Sequence, residues 1–438
     1  MERKSTRPRL TQAMVDMWAL PDLRRKILFT LGILVVFRFL AHVPLPGVDV
    51  GALREFFEGN LLFGMLDLFS GGAMANFSVA MLGVYPYITA SIIMQLLVPV
   101  IPRLQALSQE GELGQHKINR ITHLATIPLA ALQGYAMLTL LRTQPGNIVQ
   151  PGIDPLTMAT IVVTMIAGTM FLVWLGELIT ERGVGNGIPS IIFGGIVAGI
   201  PGIVGRGIAE AQAGNPGGLI AYIILTLAMI VLIVIFIEAH RRIPVQYARS
   251  PFRGGLIYRQ SGSTYIPLRV NTAGMIPLIF AIALMQLPGT IATYFMNPAG
   301  QDPNFWNTIS NMFASNSALY QVLYFALVVG FTLFYTMVIF EQMNLPQTLQ
   351  QQGGFIPGVR PGKTTADYLN RIIRRITFGG ALFLAVVAIM PFIAQLATGV
   401  KLLVIQSTAM LIAVGVALDT MKQLEAQLTM RRYEGFLK

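Results

Sequence analysis

Long apolar runs alternate with short polar ones along nearly the whole chain. A helix that crosses a bilayer needs roughly 20 predominantly apolar residues. Runs of this kind predict spans near 27–41, 78–98, 121–141, 156–176, 188–204, 219–237, 274–296, 319–340, 377–397 and 402–418. The first is short and is interrupted by Arg38; the fifth is short and Gly-rich. Arg24, Arg25 and Lys26 precede the first run as they would in a signal peptide. Arg38 breaks that run, however, and Ala41-His42-Val43-Pro44 is a poor cleavage site, so the segment reads as a retained span. The pattern predicts an all-α polytopic membrane protein with ten transmembrane helices.

An even number of spans puts both ends of the chain on one side. The N-terminus, the loops near 99–120, 177–187, 238–273 and 341–376, and the tail together hold 26 of the 31 Lys and Arg residues. The opposite loops hold four, Arg54, Arg142, Arg206 and Lys401, and Arg38 lies within the first span. Positive loops stay in the cytoplasm, so both termini are predicted to be cytoplasmic. Composition points the same way. The 438 residues are 54% hydrophobic and 12% charged, against about 25% charged in soluble domains. A net charge of +11 suits nucleic acid, acidic partners or anionic lipid, and its concentration in one set of loops places that surface in the cytoplasm.

Two cytoplasmic loops are long. The one near 238–273 carries short β-prone pieces separated by Gly and Ser, which predicts a hairpin. The one near 341–376 contains Gly353-Gly354-Phe355-Ile356-Pro357-Gly358-Val359-Arg360-Pro361-Gly362. That stretch cannot form a regular helix and predicts a rigid exposed turn carrying Arg360. Between spans one and two, the segment about 61–77 is half-apolar and rich in small residues: Gly64, Ser70, Gly71, Gly72, Ala73 and Ala75. It is too short and broken to span. Non-helical backbone at membrane depth is tolerated only when buried or lining a cavity, so this segment predicts a re-entrant fold. The Gly-rich stretch 205–218 divides the spans five and five, giving an N-terminal half 1–205 and a C-terminal half 206–438. Two odd halves have opposite topology, which is the arithmetic of an inverted repeat, although no internal sequence similarity accompanies it.

The chain has no cysteine, which excludes disulfides and thiol catalysis. His42, His116, His123 and His240 are scattered and lack metal-ligand spacing, so neither a metal nor a cofactor is expected. There is no His-Glu-x-x-His, no Gly-x-Ser-Gly, no Gly-x-Gly-Asp and no phosphate-binding loop ending in Lys-Ser/Thr. The sequence therefore predicts no enzyme, and any work must be driven by a partner or a gradient. An ion-coupled solute transporter would share the span number and the repeat but should carry mid-span charges. Arg38 is the one clear case. Glu177, Glu238, Glu341 and Asp419 fall at cytoplasmic span ends, where they meet water, and predict no proton relay.

Several stretches are specific. They include Leu82-Gly83-Val84-Tyr85-Pro86-Tyr87-Ile88-Thr89-Ala90-Ser91-Ile92-Ile93-Met94-Gln95 and Glu181-Arg182-Gly183-Val184-Gly185-Asn186-Gly187. Others run from Arg241 to Arg249, through Asn271-Thr272-Ala273-Gly274-Met275-Ile276-Pro277, from Gly353 to Gly362, and along the tail from Ala417 to Lys422 and Tyr433 to Leu437. With these, in this order, the chain resembles the SecY family, the channel-forming subunits of the bacterial protein translocase and kin of the endoplasmic-reticulum translocon alpha subunit. The departures are small: Val84-Tyr85 stands where the family usually has Ile-Met, and Ser250 where a further basic residue is common.

The resemblance implies two pseudo-symmetric inverted five-helix halves around a central, hourglass-shaped pore. Its waist would be an aliphatic ring of Val84, Ile88, Ile192, Ile279, Ala283 and Ile412; without the resemblance these are ordinary packing residues. A narrow apolar constriction dewets and blocks ions. Gly64, Leu66, Phe69, Ser70, Gly71 and Gly72 would belong to a plug. Spans two and seven would form a lateral gate, with Ser91, Gln95 and Asn271 near its seam; a static packing contact explains these three equally well. Interhelical hydrogen bonds in membranes are worth about 0.6–2 kcal/mol, enough to hold a gate that a hydrophobic signal still opens. Arg241, Arg242, Arg249 and Arg360 would dock the ribosome, whose RNA is anionic, and the SecA motor ATPase. The positive-inside bias alone accounts for Arg374 and Arg375. The implied partners also include the small membrane subunits SecE and SecG, polypeptides bearing signal sequences, and lipid. The implied location is the bacterial plasma membrane.

Overall fold

The computed structural model describes residues 20–59, 67, 70–143, 148–149, 154–212, 216–247, 252–253, 256–257, 262–272, 274, 276–295, 304–314, 317–343, 345–398 and 402–434. In chain order the helices before the first strand are α1 (Pro21–Leu40), α2 (Val50–Gly59), α3 (Tyr85–Leu97), α4 (Pro102–Gln109), α5 (Glu112–Thr143), α6 (Pro155–Arg182), α7 (Gly187–Gln212) and α8 (Pro216–Glu238). Four strands follow, β1 (His240–Tyr247), β2 (Phe252–Arg253), β3 (Leu256–Ile257) and β4 (Gly262–Arg269). The remainder is α9 (Ile276–Phe295), α10 (Phe305–Met312), α11 (Ala318–Met343), α12 (Leu345–Gln351), β5 (Gly354–Phe355), α13 (Lys363–Thr398) and α14 (Leu402–Glu434).

Every expected span falls on one of these helices, with two differences. Span two becomes helical only at Tyr85, after a run of turns from Gly71 to Val84. Gly83 takes a positive φ of 56° there, a conformation open to glycine, and Pro86 occupies the start of the helix, where its missing N–H is harmless. Thirteen residues of α3 rise about 20 Å, short of a roughly 30 Å hydrocarbon core. Arg38, in turn, is not in mid-span. It sits in the last turn of α1, where a cation suits the negative end of the helix dipole. Among the described residues four helices are long and apolar enough to cross a membrane singly, and a fifth crossing is counted if α3 and α4, bent by 98°, act as one.

The described chain forms two compact units. The first comprises Met1–Gly214, Thr290–Ser310 and Ile412–Lys438. Here α3 packs on α5, α5 on α6, α6 on α7, and α1 against both α6 and α7. Leu53, Phe57, Phe77, Met81, Leu138, Leu141, Ile161 and Met165 make its main core. Leu23, Val184 and Leu424 form a smaller cluster that joins α1, the turn after α6, and α14. Val35, Phe39, Leu124, Leu132, Val163 and Trp174 face outward and are exposed. So many outward apolar side chains would be an aggregation surface in water and are what lipid requires.

The second unit comprises Asn215–Gly289 and Asn311–Leu411. Strand β1 pairs antiparallel with β4 from His240↔Arg269 to Tyr247↔Gly262, so the hairpin expected in the first long loop is present. The second long loop supplies what was not expected. Its β5 adds to the other edge of β1 through Gln246↔Phe355 and Tyr247↔Gly354. Ile243 and Val245 are 2% and 0% exposed while Arg242 and Pro244 beside them are exposed, the period-two alternation of a half-buried sheet. They meet Leu268, Phe340, Leu349, Ile356, Leu369 and Ile372, which seats the sheet on α11, α12 and α13. Each such side chain is worth about 1.5–3 kcal/mol when fully buried.

Candidate functional site

The segment between spans one and two folds into a hydrogen-bonded turn around Asp67. Its carbonyl accepts from Gly72 N–H at 2.9 Å and from Ser70 Oγ at 2.9 Å. Its Oδ1 accepts from Ala75 N–H at 2.8 Å. Ser70 Oγ in turn accepts from Met74 N–H at 3.1 Å. Short polar side chains thus take over backbone groups that no helix satisfies. The turn is also tied to α1. Arg38 Nη1 donates to the Gly71 carbonyl, Asn76 Nδ2 donates to the Ala41 carbonyl at 3.4 Å, and Leu45 N–H donates to the Phe77 carbonyl at 2.8 Å. The chain leaving the turn enters the main core at Met74 and Phe77.

This turn is wedged tightly. Gly71 has φ +70°, and a Cβ there would stand 2.8 Å from Gly195 Cα and 3.1 Å from Phe37 Cζ. Only glycine permits that approach. On its other side, a Cβ on Gly83 would lie 3.7 Å from Ser70 Cα. Of the predicted plug residues, Ser70, Gly71 and Gly72 lie in this turn. Gly64, Leu66 and Phe69 lie outside the described residues.

The predicted ring residues divide between the two units. Val84, Ile88, Ile192 and Ile412 belong to the first, Ile279 and Ala283 to the second. Val84 is 4% exposed and caps the N-terminus of α3, with Ile88 one turn along it and half-buried. Ile192 is 4% exposed and lies in the second turn of α7, three residues from Gly195 and so on the same face. Ile412 is buried in α14; Ala283 is buried and Ile279 half-buried in α9. The turn at Ser70–Gly71 accordingly touches Gly83, the neighbour of Val84, and Gly195, one helical turn from Ile192. These contacts all lie within the first unit.

The predicted gate residues behave differently. Gln95 Nε2 donates to Ser91 Oγ at 3.1 Å along α3 itself. Asn271 is 8% exposed, and its side-chain oxygen is buried with no hydrogen-bond partner among the described residues. Arg241, Arg242 and Arg360 are exposed, on the strand β1 and on the turn that follows β5. The Arg360 turn is held by Thr365 Oγ1, which donates to the Arg360 carbonyl at 2.9 Å. Arg249 lies outside the described residues.

Sequence reasoning gave no role to the residues that fasten these parts. Arg38 and Asp67 hold the turn; a lone charge in an apolar run was the available signal for Arg38. The turn of residues 183–187 knots four elements together. Val184 N–H donates to Thr30 Oγ1 of α1 at 3.0 Å, Gly185 N–H to Gln423 Oε1 of α14 at 3.1 Å, and Gly187 N–H to Thr180 Oγ1 of α6 at 2.9 Å. A Cβ on Gly187 would lie 1.6 Å from the Gly176 carbonyl oxygen. His123, another residue without an assigned role, stands 3.0 Å from Glu177 and edge-on to Tyr87. Among the described residues no three His, Cys, Asp or Glu side chains gather as a metal site.

The profile of the SecY family matches residues 78–421. The chain is 41% identical over 438 residues to the protein translocase subunit SecY of Thermotoga maritima, covering 98% of each. It is 43% identical over 429 residues to that of Thermus thermophilus, covering 95% of each. Among solved structures, a study of how the plug domain stabilises the closed state of the SecY channel superposes with a TM-score of 0.64 at 18% identity, covering 96% of this chain and 97% of that one. Sec61 from a canine ribosome-channel complex superposes with a TM-score of 0.64 at 16% identity, with the same coverage. The fold is that of these channels, and the chain belongs to the SecY family.

Proposed function

We propose that this chain is the central subunit of a protein-conducting channel, passing unfolded secretory polypeptides across the membrane and releasing transmembrane segments sideways into lipid. One observation carries the reading: the Ser70–Gly71 turn is seated against Gly83 and Gly195, which stand next to Val84 and three residues from Ile192 in the chain. A small-residue segment packed at an aliphatic constriction is a closure. An aliphatic ring seals against ions by dewetting and offers a passenger no strong hydrogen bond or charge. Varied sequences therefore slide past it. The ring is completed by Ile88, Ile279, Ala283 and Ile412, and the plug by Gly64, Leu66, Phe69 and Gly72.

The wider arrangement follows from the same reading. Ten spans form two inverted halves, 1–205 and 206–438, around the pore, with both termini in the cytoplasm. Spans two and seven part as the lateral gate, with Ser91, Gln95 and Asn271 at its seam. An unpaired Asn271 oxygen is costly when buried and favours a seam that opens. Arg241, Arg242, Arg249 and Arg360 form the cytoplasmic docking face for a ribosome or the SecA motor, and SecE and SecG complete the complex in the bacterial plasma membrane.

Vesicles test the function. The chain is purified with its membrane partners, reconstituted, and supplied with motor, nucleotide and a precursor bearing a signal sequence. The precursor is expected to become resistant to added protease until detergent is added. A precursor that stays fully digestible in assembled, motor-bound vesicles refutes the reading.

A further inference from the structure

We propose that Arg38 is the latch of the resting channel, holding the plug turn in its seat through the Gly71 carbonyl. The inference rests on reading the segment about 61–77 as a plug. Arg38 is the sole Lys or Arg between Lys26 and Arg54. It sits in the last turn of α1, from which its long side chain reaches the turn. Its guanidinium is half-buried and donates to the carbonyl of the residue at the tip of the turn. That tip is non-helical backbone, and a carbonyl there needs a donor from elsewhere in the protein.

The neighbouring contacts sharpen the assignment. Phe37, beside Arg38 and 1% exposed, backs the same Gly71 that Gly195 of α7 touches from another side. The Arg38 carbonyl accepts from His42 Nδ1 at 2.8 Å, which braces the end of α1 from which the guanidinium reaches. Other bonds of the turn among the described residues lie within it, around Asp67, or at its base, where Asn76 meets Ala41 and Arg54 and Phe77 meets Leu45. Bonds of the first kind travel with the plug when it moves. The Arg38 bond cannot: it joins the moving tip to a fixed helix. It is also charge-assisted, the stronger class of hydrogen bond. Removing it leaves the turn intact and shifts the balance between seated and displaced plug by about tenfold or more.

The test uses the purified complex in vesicles loaded with an ion-sensitive dye. Arg38→Met and Arg38→Gln, which cannot reach Gly71 with a charged donor, are each expected to raise the resting ion leak about tenfold while precursor transport continues. Either variant, assembled and as tight as the parent, overturns the latch. A second pair of changes separates the latch from the plug. Ser70→Cys with Gly83→Cys places two thiols where the corresponding Cβ atoms stand 3.8 Å apart, a spacing that suits a disulfide. Gly83→Cys alone, which carries the strain of φ +56° without the cross-link, is the parent for comparison. The chain has no other cysteine. With Arg38 present, the oxidised pair should block precursor passage and a reductant should restore it; free passage through the oxidised channel refutes the plug itself. In the Arg38→Met background, oxidation should close the leak. A leak that persists through the oxidised pair refutes the latch and leaves the plug standing.

Discussion

Single atoms decide much of this site. Gly187 starts α7 with no room for a methyl group, and Thr30, Thr180 and Gln423 converge on the turn before it. The Glu181–Gly187 motif was visible in the sequence, but its reason was not, because Thr30 and Gln423 lie 154 and 238 residues away from their partners along the chain. Gly187→Ala is expected to lower stability by about 1–3 kcal/mol, the usual effect of overpacking, seen as a clear fall in the melting temperature of the purified complex. An unchanged melting temperature would contradict the packing described. The proposed ring rests on resemblance alone, since Val84 and Ile192 differ in no chemical way from dozens of other aliphatic residues. Ile192→Asp places an unpaired carboxylate at a 4% exposed position of α7. It should hydrate the constriction and raise resting ion conductance several-fold; conductance equal to the parent would remove Ile192 from the ring.

At the scale of elements, periodicity foretold the helices well, because apolar length is a strong signal and each helix satisfies its own backbone. It failed where that signal is diluted. Span two was expected to be helical from residue 78, yet Gly83 and Pro86 delay the helix to Tyr85. The resulting stretch of turns is what brings Gly83 beside Ser70. The hairpin of β1 and β4 was legible from its Gly and Ser punctuation. Strand β5 was not, because two residues paired across a gap of more than a hundred leave no local pattern. The sheet should behave as one body. Val245→Asp, at a 0% exposed position, is expected to destabilise it by on the order of 3 kcal/mol. Hydrogen exchange should then rise in β1, β4 and β5 together while α6 is unaffected. Faster exchange in β1 alone would contradict a shared core.

At the scale of the whole molecule, the distribution of charge predicts orientation. The absence of native cysteine makes that easy to test with single substitutions. Gln109→Cys and Gln352→Cys should react with a membrane-impermeant maleimide only in inverted vesicles, and Thr308→Cys only in intact cells. Labelling of all three from one side would overturn the alternation of the loops. The central claim is that a polypeptide passes the aliphatic waist, and Ile88→Cys tests it most directly. A precursor stalled in transit should form a covalent adduct with a thiol-directed crosslinker at Ile88→Cys and none at Val163→Cys, which faces outward and is exposed. No adduct at position 88, or equal adducts at both positions, would contradict the account.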